Sequence, residues 1–399
     1  MKIVLVYPRG NEMSSNFRNI LDTRPATTLI PLGMLYMVAN SGLEIDFIDN
    51  RVENIPTIAL TMRLRDYDIV GFGGTIFESD QAVRLSGLLR CKGVKTIYGG
   101  ANATVNFNNY LNDFDYIVTG EADRFNFNLK SKLTHLPRIT DLDNLNYPAR
   151  HKVNLNDYNR SEKWLTFPTD TVVSSRGCPY DCSFCSSRII WNRRYTMRSA
   201  DNVISEIKHL QANYGTKSIY FREDNFTVNK KRLYEFCVKM PVEWKCESRV
   251  DAIDEQTAKL MAEGGCKVIW FGIEHTNNDI LKSISKGITY DQTLRAIEAC
   301  NKNGIKAVGS FIVGLPDESL WTIIRNAIRI NRLKLDHVSM NRLFMFARSE
   351  MYEQVISEGL DVYSEKGIII PKTKHTSKQM VNLTHFVIQK WFAVKEKYL

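Results

Sequence analysis

The sequence contains no apolar run that approaches the ~20 residues of a membrane-spanning helix, which excludes an integral membrane protein of the helical kind. Its start, Met1-Lys2-Ile3-Val4-Leu5-Val6-Tyr7-Pro8, is short, stops at Pro-Arg-Gly and lacks a small-residue cleavage site. It therefore reads as a first strand and not as a secretion signal, and the protein is expected in the cytoplasm, where thiols stay reduced. Histidine is scarce: seven in 399 residues, none before His135 and none between His151 and His209. An acidic excess is missing too, since 53 Lys+Arg against 44 Asp+Glu leave a net charge of +9. That balance favours an acidic partner or an anionic substrate, although a generally basic solvated surface explains it equally well.

Cysteine is concentrated at one place. Three of the eight fall in Ser175-Arg176-Gly177-Cys178-Pro179-Tyr180-Asp181-Cys182-Ser183-Phe184-Cys185, a C-x3-C-x2-C spacing after the apolar stretch 171–173. Three thiolates on one tight loop can hold three corners of a 4Fe-4S cube and leave the fourth iron open to another ligand. A structural zinc site wants four Cys or His ligands, usually as two short pairs, so zinc would need a distant fourth ligand such as Cys237, Cys246 or Cys266. Those three, with Cys91 and Cys300, sit in apolar segments and are expected as small buried hydrophobes.

The length predicts two or three domains. Residues 1–135 alternate strand patterns at 3–7, 44–49, 69–72, 96–98 and 116–118 with helical ones at 32–40, 55–64, 79–89 and 105–111, and a last helix after Glu121. Such βα steps predict a parallel sheet covered on both faces, with ligands at the carboxyl ends of its strands. Glycines collect at those ends, in Gly71-Phe72-Gly73-Gly74-Thr75, Gly99-Gly100-Ala101-Asn102 and Gly120-Glu121. A dinucleotide fingerprint is incomplete, because Ile76 stands where its third glycine belongs. Taken alone, such glycines are what ordinary tight βα turns need. Residues 136–170, with Pro137, Pro148 and Pro168, read as a linker. A second series over 171–345 has strands at 171–174, 218–221, 243–247, 268–271, 308–313 and 337–343, and Ser199 is a candidate N-cap.

The cysteine loop resembles the signature of the radical S-adenosylmethionine (radical SAM) enzymes, including the aromatic Phe184 before the last cysteine. The resemblance implies that Cys178, Cys182 and Cys185 bind a 4Fe-4S cluster whose free iron chelates S-adenosylmethionine, and that reduction gives a 5'-deoxyadenosyl radical. The six βα repeats fit that family's partial (β/α)6 barrel. Its strand ends then supply Glu223 and Asp224 for the methionine amino group, Ser248 and Arg249 for the carboxylate, Glu274 for the ribose or amino group, and Ile312 and Gly314 for the adenine. His275 stands where the family usually has a serine; it reads as a satisfied histidine behind the site, with proton donation or cobalt ligation as alternatives.

Residues 1–135 resemble the Rossmann-like (flavodoxin-like) cobalamin-binding domain that precedes many radical SAM barrels. The matches are Pro31-Leu32-Gly33-Met34-Leu35-Tyr36, Asp49, Asp68-Ile69-Val70-Gly71-Phe72, Tyr98-Gly99-Gly100-Ala101-Asn102-Ala103-Thr104 and Asp115-Tyr116-Ile117-Val118-Thr119-Gly120-Glu121. Cobalamin contacts are implied for Thr75, Gly99, Gly100, Ala101, Asn102, Gly120 and Glu121. The Asp-x-His-x-x-Gly motif is absent, so cobalamin would be held base-off without a histidine from this domain; a domain that has lost cobalamin would look the same.

The implied function is a cobalamin-dependent radical SAM methyltransferase acting on an unactivated carbon through a 5'-deoxyadenosyl radical and methylcobalamin. The alternatives are a non-methylating ring contraction, cyclisation or redox rearrangement, and a non-catalytic Fe-S or cobalamin sensor. A methylthiotransferase is disfavoured, because the first domain has only Cys91. Expected partners are a small-molecule or peptide substrate and a reducing protein such as flavodoxin or ferredoxin, with neither membrane nor nucleic acid. After the sixth strand, Phe346-Ala347-Arg348-Ser349-Glu350-Met351-Tyr352 replaces the family's frequent Pro-Gly-Thr turn, so the substrate cannot be copied from relatives. In the extension 346–399, Thr376-Ser377-Lys378-Gln379 offers a capping box for a terminal helix. Its stripe Met380, Leu383, Val387, Trp391, Val394 and Tyr398 is expected to pack on the barrel, a partner-binding helix being the alternative.

Overall fold

Strand β1 (Ile3–Tyr7) sends Val4 and Val6 into one apolar cluster and Ile3 and Leu5 into another. A strand that feeds two cores must lie in a sheet covered on both faces. In the computed structural model, which describes residues 1–10, 28–359, 362–365, 368–371 and 378–398, that sheet belongs to the first of two units, Met1–Arg160 and Ser161–Leu399. Its other strands are β2 (Ile45–Asp49), β3 (Ile69–Phe72), β4 (Lys95–Tyr98), β5 (Tyr116–Thr119) and β6 (Leu133–His135). They run β2-β1-β3-β4-β5-β6, every pairing parallel. The first five keep the flavodoxin-like order, whose ligands sit at the carboxyl ends where that order reverses.

The helix expected after Glu121 does not form. Phe125 and Phe127 both enter an apolar cluster, a period of two and not 3.6, and Phe127 takes φ +60°, which a helix does not allow. The expected helix at 105–111 instead starts at Gly100–Asn106 and tightens into the 3-10 turn Phe107–Tyr110. The segment 136–170 is divided between the units at residue 160, and its first part is packed. Ala149 N donates to Leu35 O at 3.1 Å, Tyr158 Oη donates to Asp49 Oδ2 at 3.0 Å, and Leu142, Leu145 and Leu155 are buried. Missing periodicity there marks irregular backbone, not missing packing.

The second unit has β7 (Thr169–Val172), β8 (Ser218–Phe221), β9 (Glu243–Ser248), β10 (Cys266–Glu274), β11 (Lys306–Val313) and β12 (His337–Arg342), parallel and paired in chain order. Helices Ala200–Tyr214, Lys230–Lys239, Glu255–Glu263, Tyr290–Lys302 and Leu320–Asn331 connect them. Ser199 caps the first, its side chain accepting from Asn202 N. Here alternation feeds one core only. Ile219, Phe221, Trp244, Cys246, Ile269, Phe271, Ile273, Phe311 and Val313 join a single apolar cluster, while Tyr220, Lys245, Glu247, Trp270, Gly272 and Ser310 fall on the opposite face, outside it.

Met345–Phe346, Val362–Glu365 and Ile368–Pro371 form a small antiparallel sheet, and the terminal helix is Lys378–Tyr398. Its expected inward stripe is wrong. Leu383, Val387, Trp391 and Val394 are exposed, whereas His385, Ile388 and Phe392 are buried; the helix is apolar on two faces, and the His385 bond to Met340 O turns the second one inward. The expected capping box lies outside the described residues. Cys237, Cys246, Cys266 and Cys300 are buried as expected, but Cys91, just past a helix end, is exposed. No helix among the described residues is long and apolar enough to cross a membrane.

Candidate functional site

The cysteine loop leaves the carboxyl end of β7 and is clamped at its base by Ser175–Arg176 pairing antiparallel with Thr196–Met197. Ser183 N donates to Ile284 O at 3.1 Å, Met351 N donates to Ser183 O at 3.1 Å, and Phe184 packs against the core. Asp181 pairs with Arg193 at 2.8 Å and Arg188 at 3.1 Å. Burial pushes the Cys178 thiol up and the Cys185 thiol up to about 12, so a metal must displace their protons for them to bind it as thiolates. Among the described residues no group of three His, Cys, Asp or Glu side chains converges on a point where a single metal ion could sit. Cubane ligands stand at separate corners and need no such convergence.

Beyond β8, Glu223 and Asn225 are buried and Asp224 is exposed. Glu223 Oε1 accepts from Ser174 Oγ at 2.6 Å and Ser174 N at 3.3 Å, but Glu223 Oε2 and Asn225 Nδ2 are buried without a hydrogen-bond partner. Burial lifts the Glu223 pKa to about 7, even though Arg232 and the Ser174 bonds pull it down. An orphaned carboxylate oxygen is a costly arrangement unless a cation or donor arrives.

At the end of β9, Ser248 Oγ lies 2.6 Å from Thr227 Oγ1 and donates to Arg249 O at 3.1 Å. The Arg249 guanidinium is held in place from several sides. Its Nε and Nη2 donate to the two Asp251 oxygens at 3.0 and 2.9 Å, Nη1 lies 4.0 Å from Cys182 Sγ, and it covers the Tyr180 ring at 3.7 Å. Arg249 thus braces the cysteine loop directly.

The end of β10 is irregular. The register shifts between Gly272 and Glu274, and Glu274 takes φ +67°, a left-handed backbone that costs a non-glycine residue about 1–3 kcal/mol. Glu274 Oε1 accepts from Lys286 Nζ at 2.8 Å. Burial works to lower the Lys286 pKa, but the Glu274 carboxylate and the Cys182 sulfur outweigh it and the net shift is upward. His275 is buried, its Nδ1 accepting from Asn277 N at 2.8 Å, while Nε2 lies 3.2 Å from Glu318 Oε1 without a hydrogen bond to it. At the end of β11, beside Ile312, Glu318 Oε2 accepts from Gly314 N at 2.5 Å and Leu315 N at 2.7 Å. Lys286, Glu318, Asp251 and Tyr180 were not foreseen; Asp251, two residues from Arg249, carried the only local signal.

In the first unit Thr75, Gly100 and Ala101 are exposed at the strand ends and Gly99 is half-exposed. The other three expected contacts have partners within their own unit. Asn102 Nδ2 donates to Tyr98 Oη at 2.7 Å and Tyr110 Oη at 3.0 Å, and its Oδ1 accepts from Asn106 at 2.8 Å. Glu121 pairs with Arg138 at 2.8 Å and accepts from Ile139 N. Gly120 has φ +86°, and a Cβ there would lie 2.2 Å from Leu136 O.

Residues 172–327 match the radical SAM superfamily. An uncharacterized methyltransferase of Pyrococcus horikoshii is 29% identical over 397 residues, covering 90% of this chain and 84% of the relative. Bacteriochlorophyllide d C-12(1)-methyltransferase of Chlorobaculum tepidum is 25% identical over 80% of this chain and 70% of its own. The anaerobic magnesium-protoporphyrin IX monomethyl ester cyclase of Rubrivivax gelatinosus is 24% identical over 81% and 64%. The solved radical S-adenosylmethionine methyltransferase TsrM from Kitasatospora setae, with cobalamin and a 4Fe-4S cluster bound, superposes with TM-score 0.72 at 15% identity over 96% of this chain and 81% of that one. OxsB, with aqua-cobalamin and S-adenosylmethionine bound, gives 0.75 at 13% identity over 98% and 66%. Residues 172–327 thus carry a radical SAM domain, the domain of radical SAM enzymes. More narrowly, its two α/β units carry the fold of the cobalamin-dependent members of that superfamily. The donor set fits the superfamily's cofactors: three thiols on one loop for the cluster, and the orphaned Glu223 Oε2 past the end of the adjoining strand β8 for a cationic ligand.

Proposed function

We propose that this chain is a cobalamin-dependent radical SAM methyltransferase that places a methyl group on a carbon of a small organic substrate. The observation that carries the reading is coverage: similarity to proteins named as methyltransferases extends over most of the chain, through both units and not the barrel alone. Cys178, Cys182 and Cys185 would hold three corners of the cluster, with Phe184 as the loop's apolar anchor. Glu223 and Asn225 would receive the methionine amino group of S-adenosylmethionine with Asp224 at the rim, and Ser248 and Arg249, the latter fixed by Asp251, its carboxylate. Glu274 would face the ribose, and the backbone at Ile312 and Gly314, held by Glu318, the adenine. Thr75, Gly99, Gly100 and Ala101 would form the surface against the corrin, while Asn102, Gly120 and Glu121 support it from behind. When bound, these cofactors supply a carbon-centred radical and a transferable methyl group; the residues bind, orient and exclude water. A cytoplasmic setting and an acidic one-electron donor of the flavodoxin or ferredoxin kind belong to the same proposal.

The similarity to a named cyclase over 81% of the chain favours one second reading, an oxidative cyclisation on the same scaffold. Anaerobic reconstitution with iron, sulfide and cobalamin, followed by reductant, S-adenosylmethionine and candidate substrates, separates the two. Methylation requires S-adenosylhomocysteine and 5'-deoxyadenosine to appear together in a substrate-dependent way. Substrate-dependent 5'-deoxyadenosine without S-adenosylhomocysteine would favour the cyclase reading.

A further inference from the structure

The buried cation Lys286 has three features of the fold arranged around it. The Lys286–Glu274 pair is almost closed to solvent, its side chains only 7% and 10% exposed. Glu274 reaches that pairing through the bulge between Gly272 and Glu274 and through its own left-handed backbone. Beneath the pair lies Gly272, where a Cβ would stand 2.8 Å from Glu274 Oε1 and 2.9 Å from Lys286 Nζ. A bulge, a strained non-glycine residue and a glycine inside a nine-residue strand are each locally unfavourable. Together they make room for one ion pair. A buried ion pair kept for stability alone is often no better than apolar packing, so this expense points to a role at the site.

The place of Lys286 agrees with such a role. It follows the turn whose Ile284 O accepts from Ser183 N, between Cys182 and Cys185. The next residue, Gly287, lies with its Cβ position 3.7 Å from Arg249 Nη2.

We propose that Lys286 is a positioning residue of the S-adenosylmethionine site, fixing the Glu274 carboxylate at the end of β10 and adding, with Arg249, a second positive charge near the cysteine loop. This rests on the reading that the three cysteines hold a cluster to which S-adenosylmethionine binds. The test uses the full chain, reconstituted anaerobically with iron and sulfide, as wild type, Lys286→Met and Gly272→Ala. S-adenosylmethionine affinity is measured by equilibrium dialysis, and the cluster midpoint by a redox titration followed by electron paramagnetic resonance. Lys286→Met removes the cation, whereas Gly272→Ala keeps both charges and pushes a Cβ against the tips of both side chains. Both variants are expected to load iron as the wild type does and to bind S-adenosylmethionine at least about tenfold more weakly. Only Lys286→Met is expected to move the midpoint to a more negative potential, since it alone removes a positive charge near the cluster. Wild-type affinity in Gly272→Ala overturns the inference, and that variant decides the matter even if Lys286→Met does not fold. A wild type that loads iron but binds no S-adenosylmethionine would instead remove the underlying functional reading.

Discussion

The two units use the same βα arithmetic to opposite ends. In the first, alternate residues of strands β1 to β5 feed two apolar clusters, and Asn102 and Glu121 near the strand ends have partners within the unit, Asn102 in two tyrosines and Glu121 in Arg138. What remains open there is backbone and small side chains, at Gly99, Gly100 and Ala101. In the second, one strand face is apolar and the other carries Tyr220, Lys245 and Glu247, and its strand ends leave Glu223 Oε2 and Asn225 Nδ2 buried and unsatisfied. A large flat ligand needs an unobstructed surface, whereas a small charged one needs fixed groups waiting for it. Under the proposed function the difference would sort the ligands: corrin-like to the first unit, a cation-bearing amino acid derivative to the second.

The comparison can be broken most sharply from the cluster side. Cys185→Ala is expected to drop bound iron and 5'-deoxyadenosine formation to background while cobalamin retention, read by the visible spectrum after gel filtration, stays near wild type. The converse comes next. Ala101→Phe puts a ring on the exposed first turn of the helix that follows β4 and should abolish cobalamin retention with little change in melting temperature and none in iron content. If cobalamin survives that substitution, the first unit does not use its open strand ends as argued.

Glu223→Gln probes the orphaned oxygen and should weaken S-adenosylmethionine binding about 10- to 100-fold, the range of a lost charge-assisted hydrogen bond. Its pH behaviour has a definite sign. With a folded pKa of about 7 against an ordinary value of 4.5, the folded ligand-free chain keeps a proton that the unfolded chain gives up. The stabilisation this provides is present at low pH and is lost as the pH rises through about 7. A cationic ligand prefers the ionised carboxylate, so affinity for S-adenosylmethionine should rise with pH across the same range, and titration of the glutamine variant should be flat there. The smallest effect expected is from Gly120→Ala, where a Cβ meets Leu136 O and strains a left-handed turn. Differential scanning calorimetry should register a loss of about 1–3 kcal/mol, with S-adenosylmethionine affinity unchanged.

The strands were legible because short apolar runs survive in both units, and β1, β3 and β8 run as their sequences predict. Segments with two possible periods were not. Phe125 and Phe127 could sit on a helix or an extended chain, and only burial against Ile3, Leu5 and their neighbours decides. In the terminal helix Leu383, Val387, Trp391 and Val394 make as good a stripe as His385, Ile388 and Phe392, and the bond from His385 to Met340 O selects the second. At the site, the cysteine loop stood out by its spacing and Arg249 by the resemblance, and the structure brings Arg249 to Cys182. Lys286 was not, because its carboxylate partner lies twelve residues back, and only the bulge in β10 brings them together.

The most direct test of the account is anaerobic formation of 5'-deoxyadenosine from S-adenosylmethionine by the reconstituted, reduced chain, compared between wild type and Cys182→Ala. The account predicts product from the wild type and none above background from the variant; equal product from both would contradict it.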